Sequence, residues 1–138
     1  MKKKVGAVVA GFVVQLSRLF VIHSVWLKQY YMASASLWRS QEDATSRVWA
    51  MLLSVLIYVI GAVWIYAHGV ESKPWIGQGI RFGILLAMVT VVYGSLSGWV
   101  ILPISPMLVL KWIVGESLLS LLFGVVVAAI CQPRSATA

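Results

Sequence analysis

The distribution of apolar residues along the chain predicts four membrane-spanning helices. Apolar residues dominate four separate runs, which cover residues 5–27, 48–67, 77–102 and 107–131. A helix needs about 20 mainly apolar residues to cross a bilayer, and every run is long enough. The hydrophobicity within each run is continuous, which favours helices over the alternating pattern of barrel strands.

The segments between the runs predict turns and one short helix. The prolines within residues 103–106 predict a tight turn between the third and fourth runs, and Pro74 is suited to a helix start. The longest connection, residues 28–47, is rich in aromatic residues, which are common at membrane interfaces. We therefore expect an all-α integral membrane four-helix bundle, one transmembrane domain over residues 1–138, with a short interfacial helix at residues 30–38.

The composition supports this interpretation. The chain is 61% hydrophobic and only 11% charged, whereas about a quarter of the residues of a soluble domain are charged. So few charges cannot cover a water-facing surface, and the expected surroundings are a lipid bilayer. The net charge of +7 comes without a basic stripe interleaved with aromatic residues, so a nucleic-acid partner is not expected.

Basic residues near the ends of the runs predict the orientation. Lysines at positions 2–4 place the N-terminus in the cytoplasm. Four spans then return the C-terminus, with Arg134, to the same side, where Lys73 and Arg81 also fall.

A cleaved signal peptide is the alternative for the first run. The lysines, the apolar stretch after them and "ASA" at residues 33–35 resemble its three parts. The "ASA" lies far beyond the apolar core, however, and Arg18 and His23 intervene. These features favour a retained helix.

Small residues recur at four-residue spacing in the third and fourth runs. This spacing lets helix backbones approach closely inside a membrane. One interpretation is packing within a single copy, and the other is a docking face for a partner protein or a second copy. The predicted helix-packing residues are Gly79, Gly83, Gly94, Gly98, Ser120 and Gly124.

Two charged residues lie deep within the predicted spans. Arg18 lies nine residues before Leu27, and Glu116 lies nine residues after Met107, so both are about 13 Å from the same end of their helices. We predict that Arg18 and Glu116 form an intramembrane ion pair and that the first and fourth helices are neighbours. The pair either fixes the register of the helices or belongs to a proton or ion path.

Other polar residues are candidates for a lesser role. Gln15 and Ser117 are positioned to complete the hydrogen bonding of the ion pair. The remaining possible functional polar residues are His23, Arg39, Glu42 and Arg81.

Patterns that indicate enzyme chemistry are missing from the sequence. His23 and His68 fall at opposite ends of the predicted bundle, and Cys131 is the only cysteine, so no shared metal or haem site is expected. No nucleophile elbow, phosphate loop or dinucleotide fingerprint is present. We expect a protein without enzymatic activity, with no catalytic residue, cofactor or metal.

Several short motifs resemble those of a known group of proteins. The motifs are "VIHSVWLKQYYMASASLWR", "GIRFG" and "LPISPMLVLKW", with His23 and residues 37–39, 81–83 and 103–112 as the matching positions. They resemble small bacterial four-helix integral membrane proteins for which no activity is established. The resemblance implies a multi-pass protein of the bacterial inner membrane and implies no activity.

Two functions are compatible with these features. The leading hypothesis is an accessory or assembly subunit that docks within a larger membrane complex through its small-residue faces. The alternative is a small transporter or ion-conducting oligomer that uses Arg18 and Glu116. A lipid-binding role for residues 30–38 is a third, weaker option.

Overall fold

Long helices dominate the computed structural model, which describes residues 2–132. The chain is all helical in that range, without a β-strand. The six helices of this range are α1 (Lys2–Trp26), α2 (Lys28–Ala33), α3 (Gln41–Ser46), α4 (Val48–His68), α5 (Trp75–Ile101) and α6 (Pro106–Cys131). Four of them, α1, α4, α5 and α6, are long and apolar enough to cross a membrane. The prediction of an all-α chain with four such helices is confirmed, while Arg134 lies outside the described residues.

Local sequence explains where two of the helices begin. The Ser105 hydroxyl accepts a hydrogen bond from the Leu108 backbone N–H at 3.2 Å, and Pro106 occupies the first turn of α6. The Ser40 hydroxyl caps α3 in the same way, through the Asp43 backbone N–H. Serine satisfies an N–H that the helix leaves free, and proline needs no such partner there.

The helix α6 lies at the centre of the packing. It contacts α1 along one side and α5 along another, and α1 also contacts α4. A core cluster forms where α1, α4 and α6 meet, around Phe123 and Val59, which are fully buried. The outward faces of the long helices are apolar, with Leu118 60% and Val100 86% exposed.

Glycines bring α5 and α6 into close contact near the start of α5. A Cβ atom added to Gly83 would lie 2.7 Å from the Leu121 Cα atom, and one added to Gly79 would lie 2.8 Å from the Gly124 carbonyl oxygen. Ser120 is also fully buried on this face of α6. Small residues are therefore required at this crossing, because any larger side chain would push the two backbones apart.

The second pair of glycines on α5 behaves differently. A Cβ atom added to Gly94 or to Gly98 would meet nothing within 4 Å. Neither position therefore makes a close helix contact within residues 2–132, and packing against a partner or a second copy stays a prediction. The same four-residue spacing is used for close packing at one end of α5 and left open at the other.

The segment after α1 folds back over the helix ends. The expected single helix at residues 30–38 is two pieces, α2 and a 3₁₀ turn at Ala35–Leu37, because the backbone leaves helical geometry at Ser34. The Ser34 hydroxyl donates to the Tyr30 carbonyl oxygen and accepts from the Trp38 indole N–H. These bonds hold the aromatic side chains of the segment in a cluster with Leu27 and Leu108.

Candidate functional site

Arg18 of α1 and Glu116 of α6 are in contact. The Arg18 Nε atom lies 2.9 Å from the Glu116 Oε2 atom, and the two side chains are only 18% and 10% exposed. The Nε–H does not point at that oxygen, so the contact is an ion pair without an aligned hydrogen bond. The charge of the guanidinium group is offset by Glu116.

His23 contacts the second oxygen of the same carboxylate. Its Nε2 atom lies 2.8 Å from the Glu116 Oε1 atom. Its Nδ1 atom contacts the Tyr31 hydroxyl group, which accepts a hydrogen bond of 2.7 Å from the Trp112 indole N–H. We call these five residues, Arg18, His23, Tyr31, Trp112 and Glu116, the Glu116 network.

The partners of His23 match one of its neutral tautomers. The Nε2–H group donates to the ionised Glu116 carboxylate, which can only accept. In this tautomer the Nδ1 atom accepts from the Tyr31 hydroxyl, which itself accepts from Trp112. All three hydrogen bonds therefore run in one direction, from Trp112 towards Glu116.

Tyr31 connects the surface segment to this network. Burial raises the pKa of Tyr31 to about 12. The Trp112 hydrogen bond lowers this pKa and the Glu116 charge raises it, and both effects are smaller than that of burial. The phenol therefore stays protonated at neutral pH, and it remains a donor to His23.

A polar cavity of about 530 Å³ lies beside the Glu116 network, between the four long helices. A ligand-sized pocket in a protein typically has a volume of this order. The polar residues that line it are Gln15, Arg18, His23, Ser54, Tyr58, Thr90, Ser95, Trp112 and Glu116, and the others are Leu19, Met51, Val55, Val91 and Gly94. The ion pair is thus placed at the wall of a space that can hold a ligand.

The mouth of the cavity lies between α4 and α5. Its lining residues on these two helices include Met51, Ser54 and Thr90, which are exposed, whereas Gln15 and Glu116 on α1 and α6 are buried. Near their connected ends α4 and α5 meet through the rings of Tyr66 and Phe82. The cavity therefore opens sideways, through the gap between α4 and α5.

Two polar groups at the cavity wall lack hydrogen-bond partners among the described residues. Gln15 is 1% exposed, and its Nε2 atom has no acceptor. The Tyr58 hydroxyl lies beside Gln15 and Thr90 without a hydrogen bond of good geometry to either. Buried donors without partners are costly in a folded protein, so both groups have unused hydrogen-bonding capacity towards the cavity.

Two π-helical segments border the cavity. Phe20–Trp26 carries His23, and Ala87–Val92 carries Thr90 and Val91. π-Helical turns are rare and occur frequently at functional sites, because they change the direction in which side chains project. In both long helices the irregular turn coincides with residues that line the cavity.

Three of the predicted polar residues lie away from this network. Arg39 pairs with Asp43 at 2.8 Å on the exposed surface, and Glu42 is exposed on α3. Arg81 is exposed near the start of α5, where its Nε–H donates to the Gly77 carbonyl oxygen. Only His23, of the possible functional polar residues, contacts the Arg18–Glu116 pair.

Neither expected helper, Gln15 or Ser117, is among the described side chains that contact the Glu116 carboxylate, which are Arg18 and His23. The second carboxylate oxygen of Glu116 contacts His23, and the Gln15 amide nitrogen stays without a partner. Ser120, one turn after Glu116, donates its hydroxyl to the Glu116 backbone carbonyl oxygen at 2.9 Å. Over residues 2–132, no group of three or more His, Cys, Asp and Glu side chains could hold a metal ion.

The spacing of polar and small residues also points to several cavity residues that are not among the predicted site residues. Ser54 and Tyr58 lie four residues apart in an apolar run, as do Thr90 and Gly94. Residues at this spacing share one face of a helix. A shared polar or small face in each of two neighbouring runs points to a common polar space.

Comparison with models of known protein families, with curated proteins and with solved structures finds no match for this chain. The geometry of the cavity and of the Glu116 network therefore carries the functional proposal.

Proposed function

We propose that the chain is a small membrane transporter, a membrane-spanning four-helix bundle that passes a solute or a proton through the site formed by Arg18, His23 and Glu116. The observation that carries this proposal is the position of the ion pair at the wall of a cavity of about 530 Å³. An ion pair that only fixed helix register would need no cavity beside it. Ionisable residues within membrane spans typically mark ion and substrate pathways.

The Glu116 network supplies groups that can take up and release a proton. Glu116 accepts from His23, and His23 accepts from Tyr31, so the carboxylate is connected to the surface segment by consecutive hydrogen bonds. A proton added at Tyr31 can be passed on, since Tyr31 gives its hydroxyl proton to the Nδ1 atom and the ring gives its Nε2 proton to Glu116. This connection favours a role that includes proton movement.

A flux experiment tests the proposal. The purified full chain is reconstituted into liposomes that contain a pH-sensitive dye, and the uptake of protons is followed after a pH gradient is applied. We expect Glu116→Gln to lower the protein-dependent flux at least tenfold, because the variant removes the carboxylate at the cavity wall. Glu42→Gln is the matched control, since Glu42 is exposed on α3, and it should leave the flux unchanged. Equal flux in both variants and in the unaltered chain would contradict a role for Glu116.

We further propose that the chain lies in the bacterial inner membrane with both termini in the cytoplasm. The apolar outer faces of the four long helices suit lipid, and the lysines at positions 2–4 favour a cytoplasmic N-terminus. Fusions of a reporter protein that is active on one side only, placed after residue 70 and after residue 104, test this orientation. We expect the fusion after residue 70 to report the cytoplasmic side and the fusion after residue 104 to report the opposite side. Both fusions on one side, or the reverse arrangement, would contradict this orientation.

A second candidate function, an accessory or assembly subunit of a larger membrane complex, is favoured by the open glycines. Space surrounds Gly94 and Gly98, and a GxxxG pair is a common contact between membrane helices. Native electrophoresis in mild detergent, with the protein extracted from its own membrane, tests this function. Migration in a larger complex that Gly98→Leu abolishes would support it, and migration as a free copy or small homo-oligomer would count against it.

A further inference from the structure

We propose that the polar cavity binds a single-chain fatty acid, with the carboxyl group beside Arg18, Gln15 and Tyr58 and the chain directed to the mouth between α4 and α5. The inference rests on the proposed membrane position of the long helices and names the ligand class of the same site. It follows from three features of the cavity, which are its free donors, its apolar walls and its sideways mouth.

Free hydrogen-bonding capacity at the cavity wall is dominated by donors. The Gln15 amide nitrogen has no hydrogen-bond partner among residues 2–132, the Tyr58 hydroxyl lies beside Gln15 and Thr90 without an aligned hydrogen bond, and the Arg18 Nε–H has no aligned hydrogen bond to Glu116. The carboxylate oxygens of Glu116 are already contacted by Arg18 and His23. A ligand that satisfies this wall must bring acceptors, and the oxygens of a carboxyl group can accept from guanidinium, amide and hydroxyl donors.

Two other hydroxyl groups on the wall, those of Thr90 and Ser54, do not add to the free donors. The Thr90 hydroxyl donates to the Leu86 carbonyl oxygen at 2.7 Å, and the Ser54 hydroxyl donates to the Met51 carbonyl oxygen at 2.8 Å. Their protons are therefore used within their own helices. The donors that remain free, on α1 and α4, share one wall of the cavity.

The rest of the ligand must be apolar. Leu19, Met51, Val55 and Val91 line the cavity, and apolar walls favour an apolar chain over water. The mouth opens sideways between α4 and α5, where the proposed bundle faces the acyl chains of the bilayer. An amphipathic acid that is already dissolved in the bilayer can enter by this route, whereas an inorganic anion cannot.

The charges of the site indicate the form in which the acid enters. Arg18 and Glu116 offset each other. A carboxylate added alone would leave one uncompensated negative charge in an apolar setting, which is costly. The acid therefore enters with its proton, as it does when it partitions into the apolar part of a bilayer.

Photocrosslinking tests the assignment. The full chain in lipid nanodiscs is irradiated with palmitic acid that carries a diazirine on its chain, and the labelled residues are mapped by mass spectrometry. We expect labels on the cavity-facing residues Met51, Val55 and Val91, with at least fivefold lower yield when unlabelled palmitic acid is added. The outward-facing Leu118 should carry little label that unlabelled acid can displace.

Matched variants separate the site from the surrounding lipid. Gln15→Leu with Tyr58→Phe should lower the displaceable label at least fivefold, because both free donors are removed. Gln29→Leu with Tyr93→Phe makes the same chemical changes at exposed positions and should leave the label unchanged. Gln15→Leu removes a buried group without a partner, so the variant is expected to fold at least as well as the unaltered chain.

The outcomes distinguish this inference from the proposed function. Equal labelling by the methyl ester of the probe, or labels spread evenly over lipid-facing residues, would overturn the fatty-acid site. If Glu116-dependent proton flux persisted in that case, the transporter would stand with another substrate. If flux were absent and the displaceable label remained, the cavity would be a fatty-acid site in a protein that does not transport.

Discussion

The two ends of α5 show opposite uses of the same sequence spacing. Near its start, Gly79 and Gly83 press against α6 so closely that an added Cβ atom would come within 2.8 Å of the α6 backbone. Beyond the π-helical segment Ala87–Val92, the glycines at positions 94 and 98 meet nothing within 4 Å. One end of α5 packs closely against α6, and the other end borders the polar cavity.

The difference between the ends follows from what faces them on α6. Opposite Gly79 and Gly83, α6 offers Ser120 and Gly124, so two small surfaces meet and both backbones can approach. Towards the other end, α6 carries Glu116 and Trp112, which line the cavity. Gly94 lines the same cavity, and Gly98 has no neighbour within 4 Å of an added Cβ atom among the described residues. The spacing of small residues on one helix therefore does not by itself decide whether it packs.

The largest effect on the cavity end is expected from breaking the ion pair on one side. Glu116→Gln leaves the Arg18 charge without its partner in a nearly buried position, which should lower the stability by about 3 kcal/mol. Arg18→Gln with Glu116→Gln removes both charges and should recover most of that loss. Unfolding by denaturing detergent, followed by circular dichroism, measures both variants. Two harmless single variants whose effects simply add would contradict the pairing.

A smaller effect is expected at the glycine-packed end. Gly83→Ala places a methyl group 2.7 Å from the Leu121 Cα atom, and overpacking of this kind should cost about 2 kcal/mol. Gly98→Ala is the matched control and should be neutral or stabilising by about 0.5 kcal/mol, since alanine favours helix and the space is open. Equal melting temperatures in detergent for these two variants would contradict the proposed difference in packing between the two ends of α5.

The surface segment should respond more weakly still. Tyr31→Phe removes the hydroxyl that links His23 to Trp112 and should lower the stability by about 1 kcal/mol. Tyr30→Phe is a comparison on the neighbouring residue, which packs against Lys111 through its ring, and it should have little effect. Thermal unfolding of both variants in mild detergent measures the difference, and a larger loss in Tyr30→Phe would be the unexpected result.

The same residue predicts a pH dependence of stability at alkaline pH. The pKa of Tyr31 is raised from its ordinary value of 10.0 to about 12 in the folded chain. Its contribution to stability is therefore complete below pH 10 and is lost as the pH rises from 10 to 12, because the unfolded chain ionises first. The melting temperature of the unaltered chain should fall more steeply in this range than that of Tyr31→Phe. Parallel curves would show that Tyr31 is not buried as described.

The number and type of the long helices were predictable because continuous apolar runs of sufficient length have few alternatives. Counting residues along two such runs also paired Arg18 with Glu116, since rise per residue is a constant of the helix; the two are in contact in the structure. Counting did not predict the contact between His23 and Glu116, because the two residues differ in depth by about one helical turn. His23 turns towards Glu116 from a π-helical segment, and irregular turns leave no clear mark in composition.

The sequence also did not predict the contact between Tyr31 and Trp112 or the open face of α5. Tyr31 meets Trp112 only because the segment after α1 folds back, and a loop path depends on tertiary contacts. The openness at Gly94 depends on the side chains of other helices. Features set by one helix were predictable, and features set by the meeting of several were not.

The most direct test is proton flux through the variant that lacks both charges, Arg18→Gln with Glu116→Gln. This variant should unfold near the same denaturant concentration as the unaltered chain. If the Arg18–Glu116 pair beside the cavity is the functional site, the variant should also lose at least nine-tenths of the flux. Unchanged flux in a folded double variant would contradict the account, since the pair would then only hold the helices in register.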